Sequence, residues 1–238
     1  MMRSVAPERM ARALRGSGLE IGAFHGPQLL PEGRVTYVDL LSRAEALRFY
    51  PEVPAHIPAV DPDVLAPAND LSVFPDCSQD FVVASHLLEH TEDPISALVE
   101  WHRVLKNDGL IYLGLPDMRD TFDRERTRTT LEHLIDDHRS TPTELAQRNL
   151  FHYREWAQHV NDLDDPGRRD LWAELLQAAD YPIHFHCWTP EDLPPVVEWM
   201  DKELGCDLEI LDFEAMSDGY EFCYLIGRRG GTYAPRSP

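Results

Sequence analysis

Two continuous apolar runs in the first half of the chain constrain its fold more than any other feature. Asp80–Ser85 reads DFVVAS, and Gly109–Leu115 reads GLIYLGL. Strands that are buried on both faces carry such uninterrupted runs, and they are typical of parallel sheets covered by helices. Between the two runs, Asp93 and Pro94 begin a segment whose apolar residues fall at helical spacing. This arrangement predicts a strand, a connecting helix and a second strand.

Further strands and helices are predicted on both sides of these runs. The other predicted strands are Leu19–Gly22, Arg34–Asp39, Ala55–Val60, Leu208–Phe213 and Glu221–Arg228. Segments rich in charge and aromatics predict helices at Thr129–His138, Thr143–His159 and Pro166–Ala179, and a further helix is predicted at Pro190–Leu204. The alternation predicts an α/β fold with a Rossmann-like, doubly wound, mostly parallel sheet. An antiparallel hairpin would close the sheet, and a helical cap would be inserted after the fifth strand.

The composition excludes several classes of partner. The chain has 238 residues, with 22 Lys and Arg against 42 Asp and Glu, and its formal net charge is −20. Nucleic acids and anionic membrane surfaces would repel such a protein, so neither is expected as a partner. No apolar run approaches the roughly 20 residues that a membrane span needs, and membrane insertion is not expected. The four cysteines form no CxxC pair, which predicts buried thiols and a cytoplasmic location.

A glycine turn follows the first predicted strand. Residues 20–26 read EIGAFHG and match E-x-G-x-x-x-G, a pattern that lets the chain turn sharply and a ligand approach the backbone. Phe24 stands where a dinucleotide-binding motif has its middle glycine, so a dinucleotide is not favoured. Asp39 ends the second strand and can accept hydrogen bonds from both hydroxyls of a ribose. Asp61 ends the third predicted strand at the same edge. A plain tight turn with solvated acids is the alternative interpretation.

The order of these elements resembles the class I S-adenosylmethionine-dependent methyltransferases of the type-11 group. The resemblance is carried by residues 74–90, FPDCSQDFVVASHLLEH, and by residues 104–110, VLKNDGL. It extends over Leu19–Leu115 and implies S-adenosyl-L-methionine as the cofactor. By this resemblance Glu20 and Gly22 line the methionine end, Asp39 holds the ribose and Asp61 neighbours the adenine. The complete expected cofactor-binding set is Glu20, Gly22, Gly26, Asp39, Asp61, Ser85 and His86.

The sequence His86-Leu87-Leu88-Glu89-His90 offers three metal ligands at i, i+3 and i+4. On a helix these three side chains would share one face. Three interpretations are open. One is a zinc peptidase of the H-x-x-E-H type. Another is a Mg²⁺ site made by His86, Glu89 and His90, because some methyltransferases carry Glu-x-x-Glu-His here and use the metal to orient acceptor oxygens. The third is a pocket role without metal.

The segment after the fifth strand resembles a bacterial subgroup of the same family that is linked to cell-surface or storage polysaccharides. Residues 116–123 read PDMRDTFD and residues 128–138 read RTTLEHLIDDH. The resemblance implies that Asp117 and His133 lie near an acceptor hydroxyl, and His90 is the third candidate catalytic residue. Trp188 is expected to form a stacking surface for a sugar.

The implied activity is O-methylation of a polar small molecule, with a sugar or oligosaccharide as the expected acceptor. A mannoside of a methylated polysaccharide is the specific expectation. The methyl group would move by in-line displacement, while a histidine, a carboxylate or a bound Mg²⁺ activates the hydroxyl. A monomer or a homodimer is expected.

The predicted division of the chain is a cofactor-binding core (1–116), a substrate cap (117–188), a closing helix and hairpin (189–228) and a frayed tail (229–238). A different class of function is a catalytically degenerate methyltransferase fold that binds a cofactor or serves as a scaffold. Two departures from the family pattern motivate it. Asn107-Asp108-Gly109 replaces the usual Pro-Gly-Gly, and Pro62 lacks the backbone N–H that often binds adenine.

Overall fold

The structure is a computed structural model, and it describes residues 5–49, 59–216 and 219–233. Its strands are β1 (Gly16–Ile21), β2 (Gly33–Asp39), β3 (Val64–Leu65), β4 (Gln79–Ser85), β5 (Leu105–Pro116), β6 (Leu208–Ala215) and β7 (Glu221–Arg228). Its α-helices are α1 (Glu8–Ala11), α2 (Arg43–Phe49), α3 (Pro94–Val104), α4 (Leu131–Arg139), α5 (Pro142–His159), α6 (Pro166–Ala178) and α7 (Leu193–Leu204). Short 3₁₀ helices cover Leu88–His90 and Met118–Asp120.

The strands form one seven-stranded sheet in the order β3-β2-β1-β4-β5-β7-β6. The strands β1 to β5 are parallel to their neighbours, whereas β7 runs antiparallel to both β5 and β6. The predicted α/β class, parallel sheet and closing hairpin are therefore confirmed. The chain moves outward in opposite directions from β1 and β4, and ligands of such sheets bind at the carboxyl ends of the strands beside this switch point. We call the carboxyl ends of β1, β2 and β4 the carboxyl edge.

The third strand does not lie where the sequence predicts it. Of the predicted strand Ala55–Val60, residues 55–58 lie outside the described residues, and the last two residues are not in a strand. The strand β3 instead pairs Val64 with Val38 of β2. Proline has no N–H for a ladder, and Pro62 stands just before this pairing begins. Asp61 therefore precedes the third strand and does not end it.

The largest apolar core packs α3 and α7 against the sheet, and it includes the fully buried Trp101, Leu88 and Ile111. The helix α3 begins as predicted, because the Asp93 side chain accepts from the backbone N–H of Ser96 at 3.0 Å. A separate layer, which includes Met10, Phe81 and Tyr112, contains residues of α1, β4 and β5.

The helices α4, α5 and α6 lie between β5 and α7 in the chain. The helices α5 and α6 bury an apolar cluster of their own that includes Tyr153, Trp156 and Phe185, whereas Leu134 of α4 belongs to the largest core. Together with the segments that flank them, the helices α4, α5 and α6 are called the cap. A capping box between Thr141 and Glu144 begins α5. The cap is tied to the sheet where the backbone N–H of Met118 donates to the carbonyl of Trp188 at 2.9 Å.

The cysteines follow the prediction only in part. Cys187, Cys206 and Cys223 are buried free thiols, whereas Cys77 is exposed. Cys77 lies in the turn before β4, where its φ is +52°. Among the described residues, no helix combines the length and the apolar character needed to cross a membrane.

Candidate active site

The turn after β1 depends on a glycine. Gly22 has a φ of +68°, and its backbone N–H donates to the carbonyl of Val38 at 2.9 Å. A Cβ at this position would lie 2.9 Å from Leu87 Cδ1, so a side chain would be strained in backbone and in packing. The turn tightens further where the N–H of Gly26 donates to the carbonyl of Ala23. The predicted glycine motif therefore forms an open backbone turn at the carboxyl edge.

Glu20 lies beneath this turn and is buried. Its Oε1 accepts a hydrogen bond from the backbone N–H of Gln28 at 2.8 Å. The amide oxygen of Gln28 in turn accepts from the backbone N–H of Ala6 at 2.7 Å. Glu20 thus braces the loop after β1, which is a positioning function that the sequence motif did not indicate.

The two predicted acids lie beside the neighbouring loops. Asp39 ends β2 and is half-buried, and its Oδ1 accepts from the backbone N–H of Leu40 at 2.7 Å. Asp61 accepts from the backbone N–H of Arg43 at 3.3 Å. The residue before it, Val60, donates to the carbonyl of Phe24 at 2.7 Å. Asp61 therefore contacts the start of α2, and its neighbour Val60 contacts the loop after β1, although both residues precede β3.

A third group of polar side chains lies where β4 ends. The hydroxyl of Ser85 is buried and makes no hydrogen bond within the described residues. The next residue, His86, has a φ of +50°, and its Nε2 lies 3.1 Å from Oε2 of the buried Glu221. A Cβ at Gly114 would lie 2.6 Å from Glu221 Oε1, so glycine is required there. Sequence reasoning missed Glu221, whose one signal is an acid at the start of an otherwise apolar strand.

A family model described as a methyltransferase domain matches residues 14–113. This part of the chain is therefore similar to a methyltransferase domain. It runs from before β1 to near the end of β5, and it contains every residue of the predicted cofactor-binding set. The family implies S-adenosylmethionine as the cofactor.

A solved structure shares the fold at low sequence identity. The PH0226 protein from Pyrococcus horikoshii is 16% identical, with 90% of this chain and 82% of that chain covered and a TM-score of 0.50. A Thermotoga maritima protein described as an S-adenosylmethionine-dependent methyltransferase, possible histamine N-methyltransferase, is 17% identical. For it the coverage is 93% of this chain and 88% of that chain, and the TM-score is 0.46. The comparison with curated proteins gives no match.

Several residues of the matched segment, residues 14–113, fit S-adenosylmethionine. Gly22 keeps a side chain out of the turn, as close approach of a ligand to backbone requires. The carboxylate of Asp39 follows the neighbouring strand, in the place where an acid accepts the ribose hydroxyls of a nucleotide. The buried Ser85 hydroxyl offers one more polar contact at the same edge.

The predicted metal ligands His86, Glu89 and His90 are arranged differently from an α-helical face. The positive φ of His86 prevents an α-helix from including this residue, and Leu88–His90 forms a 3₁₀ turn. Glu89 and His90 instead form a group with His184, in which one ligand atom from each lies within 4.8 Å of the others. His86 Nδ1 remains 3.6 Å from Glu89 Oε1. His184 comes from the segment before α7, and only tertiary structure brings it here.

His184 is positioned by two buried charged side chains, Asp123 and Arg126. Its Nδ1 lies 2.6 Å from Asp123 Oδ2, and Asp123 Oδ1 accepts from Arg126 at 2.7 Å. Arg126 also donates to the backbone carbonyl of His184 at 2.7 Å. Burial alone would raise the pKa of Asp123, but His184 and Arg126 outweigh it and hold that pKa below its usual value.

The imidazole of His90 is oriented by a backbone carbonyl. Its Nδ1 lies 2.9 Å from the carbonyl oxygen of Ile183, which has no proton to donate. The Nδ1 atom therefore carries the proton in the neutral ring, and Nε2 carries the lone pair. This tautomer makes His90 a proton acceptor at the carboxyl edge.

The other two predicted catalytic side chains are engaged elsewhere. The buried Asp117 forms an ion pair with Arg119 and also accepts from the backbone N–H of Arg119 at 3.0 Å. His133 lies in the cap, where its Nε2 is 2.9 Å from His152 Nε2 and 3.0 Å from Asp137 Oδ2.

The expected stacking role of Trp188 is wrong. Its side chain is 1% exposed and belongs to the core, because its backbone bridges to Asp117 at the end of β5. Phe122 is 46% exposed instead. Its ring centroid lies 4.9 Å from that of His184 and 5.4 Å from that of Trp156. The exposed aromatic surface is therefore formed by Phe122.

Proposed function

We propose that the protein methylates a hydroxyl group of a polar small molecule, with S-adenosylmethionine as the methyl donor. The observation that carries this proposal is His90, whose ring is fixed in the tautomer that accepts a proton close to the end of β4. S-adenosylmethionine supplies an electrophilic methyl group when it is bound. An alcohol needs a base to become a good nucleophile, and a positioned histidine provides one.

The three predicted catalytic residues do not contribute equally in this proposal. The carboxylate of Asp117 forms an ion pair with Arg119, and the Nε2 atom of His133 lies against His152 in the cap. We therefore propose that His90 is the base that accepts the proton of the acceptor hydroxyl. Glu89 lies next to it, and a carboxylate in that place would stabilise the protonated imidazole once the proton has moved.

A sugar is the acceptor that we infer for this site. Phe122 offers an exposed ring beside His184, and the C–H faces of sugars pack on such rings. A mannoside of a methylated polysaccharide is the first acceptor to assay. The predicted Mg²⁺ ion is not needed for this scheme, because two imidazoles and one carboxylate form a poor site for a hard cation. Assays in EDTA and in MgCl₂ test that point.

The zinc peptidase alternative requires both histidines of His86-Leu87-Leu88-Glu89-His90 on one face of a helix. The 3₁₀ turn at Leu88–His90 and the positive φ of His86 do not provide that face. A catalytically degenerate domain is the second candidate. It would bind S-adenosylhomocysteine without transferring a methyl group to any acceptor.

Replacing His90 with alanine is expected to lower kcat by about 10²–10⁴-fold, the usual contribution of a positioned general base. Affinity for S-adenosylhomocysteine should be unchanged, because the glycine turn and Asp39 are untouched. The readout is S-adenosylhomocysteine release with a panel of mannosides, followed as a function of pH. His159→Ala, at the end of α5, is the matched control and should keep full activity. Full activity of His90→Ala on the acceptor would remove His90 from the mechanism.

A further inference from the structure

Four side chains of the cap converge on one point outside the active site. His133 and Asp137 are one turn apart on α4, His152 is on α5, and His186 precedes α7. One ligand atom from each lies within 4.8 Å of the other three. We call these four residues the cap cluster. Asp137, His152 and His186 are buried, and the side chain of His133 is 25% exposed.

Hydrogen bonds alone do not explain the short contacts within the cap cluster. His133 Nε2 lies 2.9 Å from His152 Nε2 and 3.0 Å from Asp137 Oδ2. If His152 donates to His133, then the lone pair of His133 is used and Asp137 faces no proton. If His133 carries the proton, one N–H must serve two acceptors. A single bound cation would satisfy all of these lone pairs together.

His186 gives independent evidence for a missing partner. It is fully buried, and within the described residues neither ring nitrogen makes a hydrogen bond of normal geometry. A buried imidazole without hydrogen bonds is costly unless a ligand binds it.

We propose that the cap cluster binds one zinc ion, or a similar divalent transition metal, through three imidazole nitrogens and one carboxylate oxygen. Ligand atoms at about 2.0–2.1 Å from a tetrahedral zinc ion lie about 3.3 Å apart. The spacings of 2.9 and 3.0 Å around His133 Nε2 are close to this value, and the remaining ligand atoms lie within 4.8 Å of one another. Imidazole selects transition metals, whereas Mg²⁺ prefers oxygen ligands. Four protein ligands leave no open position, so the ion is structural.

The surroundings of the cap cluster are those of a metal site. Arg148 donates to Asp137 Oδ1 at 2.5 Å and leaves Oδ2 directed at the cluster. Outer hydrogen bonds of this kind orient metal ligands. The backbone N–H of His186 donates to the carbonyl of Glu89 at 3.2 Å. The ion would therefore connect α4 and α5 to the segment before α7, which also contains His184. This gives His133 a role different from the catalytic one predicted from its sequence motif.

The test uses the full chain, stripped with EDTA and then dialysed against ZnCl₂, with bound metal measured by elemental analysis. We expect one zinc per chain and a rise in Tm of about 5–10 °C at 100-fold excess over Kd. His186→Ala and His133→Ala should lose the zinc, whereas His159→Ala and His184→Ala should retain it. Replacement by Co²⁺ should give the intense visible absorption of a tetrahedral site. None of these readouts involves methyl transfer.

The competing outcomes are distinct. Loss of zinc in His184→Ala with retention in His186→Ala would place the ion at Glu89, His90 and His184 and overturn the proposal. Wild-type protein that binds no zinc, and whose Tm does not change, would overturn it as well. If His186→Ala does not fold, the partly exposed His133→Ala and the Co²⁺ spectrum of the wild type decide.

Discussion

Replacing Arg126 with methionine is expected to lower the free energy of unfolding by about 3–5 kcal/mol, the usual loss when one partner of a buried ion pair is removed. The side chains of Arg126 and Asp123 are both only 1% exposed. Arg126 also donates to the carbonyl of His184 and lies 5.5 Å from the ring centroid of Trp156. Methionine keeps the length of the side chain, but it leaves the Asp123 carboxylate with His184 as its remaining charged partner.

The measurement is urea unfolding followed by circular dichroism, supported by the thermal midpoint. A chain of this size loses about 2–4 °C in Tm for each kcal/mol, so a decrease of about 6–20 °C is expected. The matched control is Arg124→Met, because that side chain is 70% exposed and its ion pair with Glu125 is at the surface. The control should change the stability by no more than about 0.5 kcal/mol. A loss below about 1 kcal/mol in Arg126→Met would contradict the assignment of a buried charge chain.

Replacing Asp39 with alanine should weaken the binding of S-adenosylhomocysteine by about 10–100-fold. The basis is that hydrogen bonds to a charged group contribute about 1.5–3 kcal/mol, and each 1.4 kcal/mol is tenfold in affinity. Asp39 is half-buried at the end of β2, and its Oδ1 accepts from the backbone N–H of Leu40 at 2.7 Å. We expect the fold to survive the substitution, because the side chain lies at the end of a strand and outside the apolar core.

The control for Asp39→Ala is Asp76→Ala. Asp76 lies in the turn before β4, at the opposite end of the strands, and its side chain is mostly exposed. That variant should bind S-adenosylhomocysteine like the wild type. Equal affinity of Asp39→Ala and wild type would show that the ribose is held elsewhere, and the cofactor set would then have to be redrawn from the Ser85–Glu221 side of the carboxyl edge.

Local signals were sufficient for much of the fold. The uninterrupted run of β4 and the Asp93-Pro94 start of α3 both depend on residues that are neighbours in sequence, and both are confirmed. The predicted strand Ala55–Val60 is not confirmed, because residues 55–58 lie outside the described residues and the last two are not in a strand. The strand β3 was missed, because its two residues are too few to show an alternating pattern. For the segment after β4 the sequence did not decide between a helix and a turn. The positive φ of His86 shows that it is a turn.

The candidate site could be predicted only where its residues belong to one motif. Gly22 and Asp39 follow consecutive strands, so their common edge can be derived from strand order. Glu221 and His184 reach the site through contacts with residues that are distant in sequence, which no local periodicity encodes. The cap cluster shows the same limit, because the spacing of His133 and Asp137 was visible in the sequence whereas the convergence of His152 and His186 was not.

The most direct test of the methyltransferase account is a calorimetric titration of S-adenosylhomocysteine into the full chain, first in EDTA and then in MgCl₂. The account predicts binding of one molecule per chain with a Kd in the micromolar range. It also predicts that this binding persists in EDTA, because the glycine turn and Asp39 involve no metal. Absence of binding under both conditions would contradict the account and leave a methyltransferase fold without its cofactor.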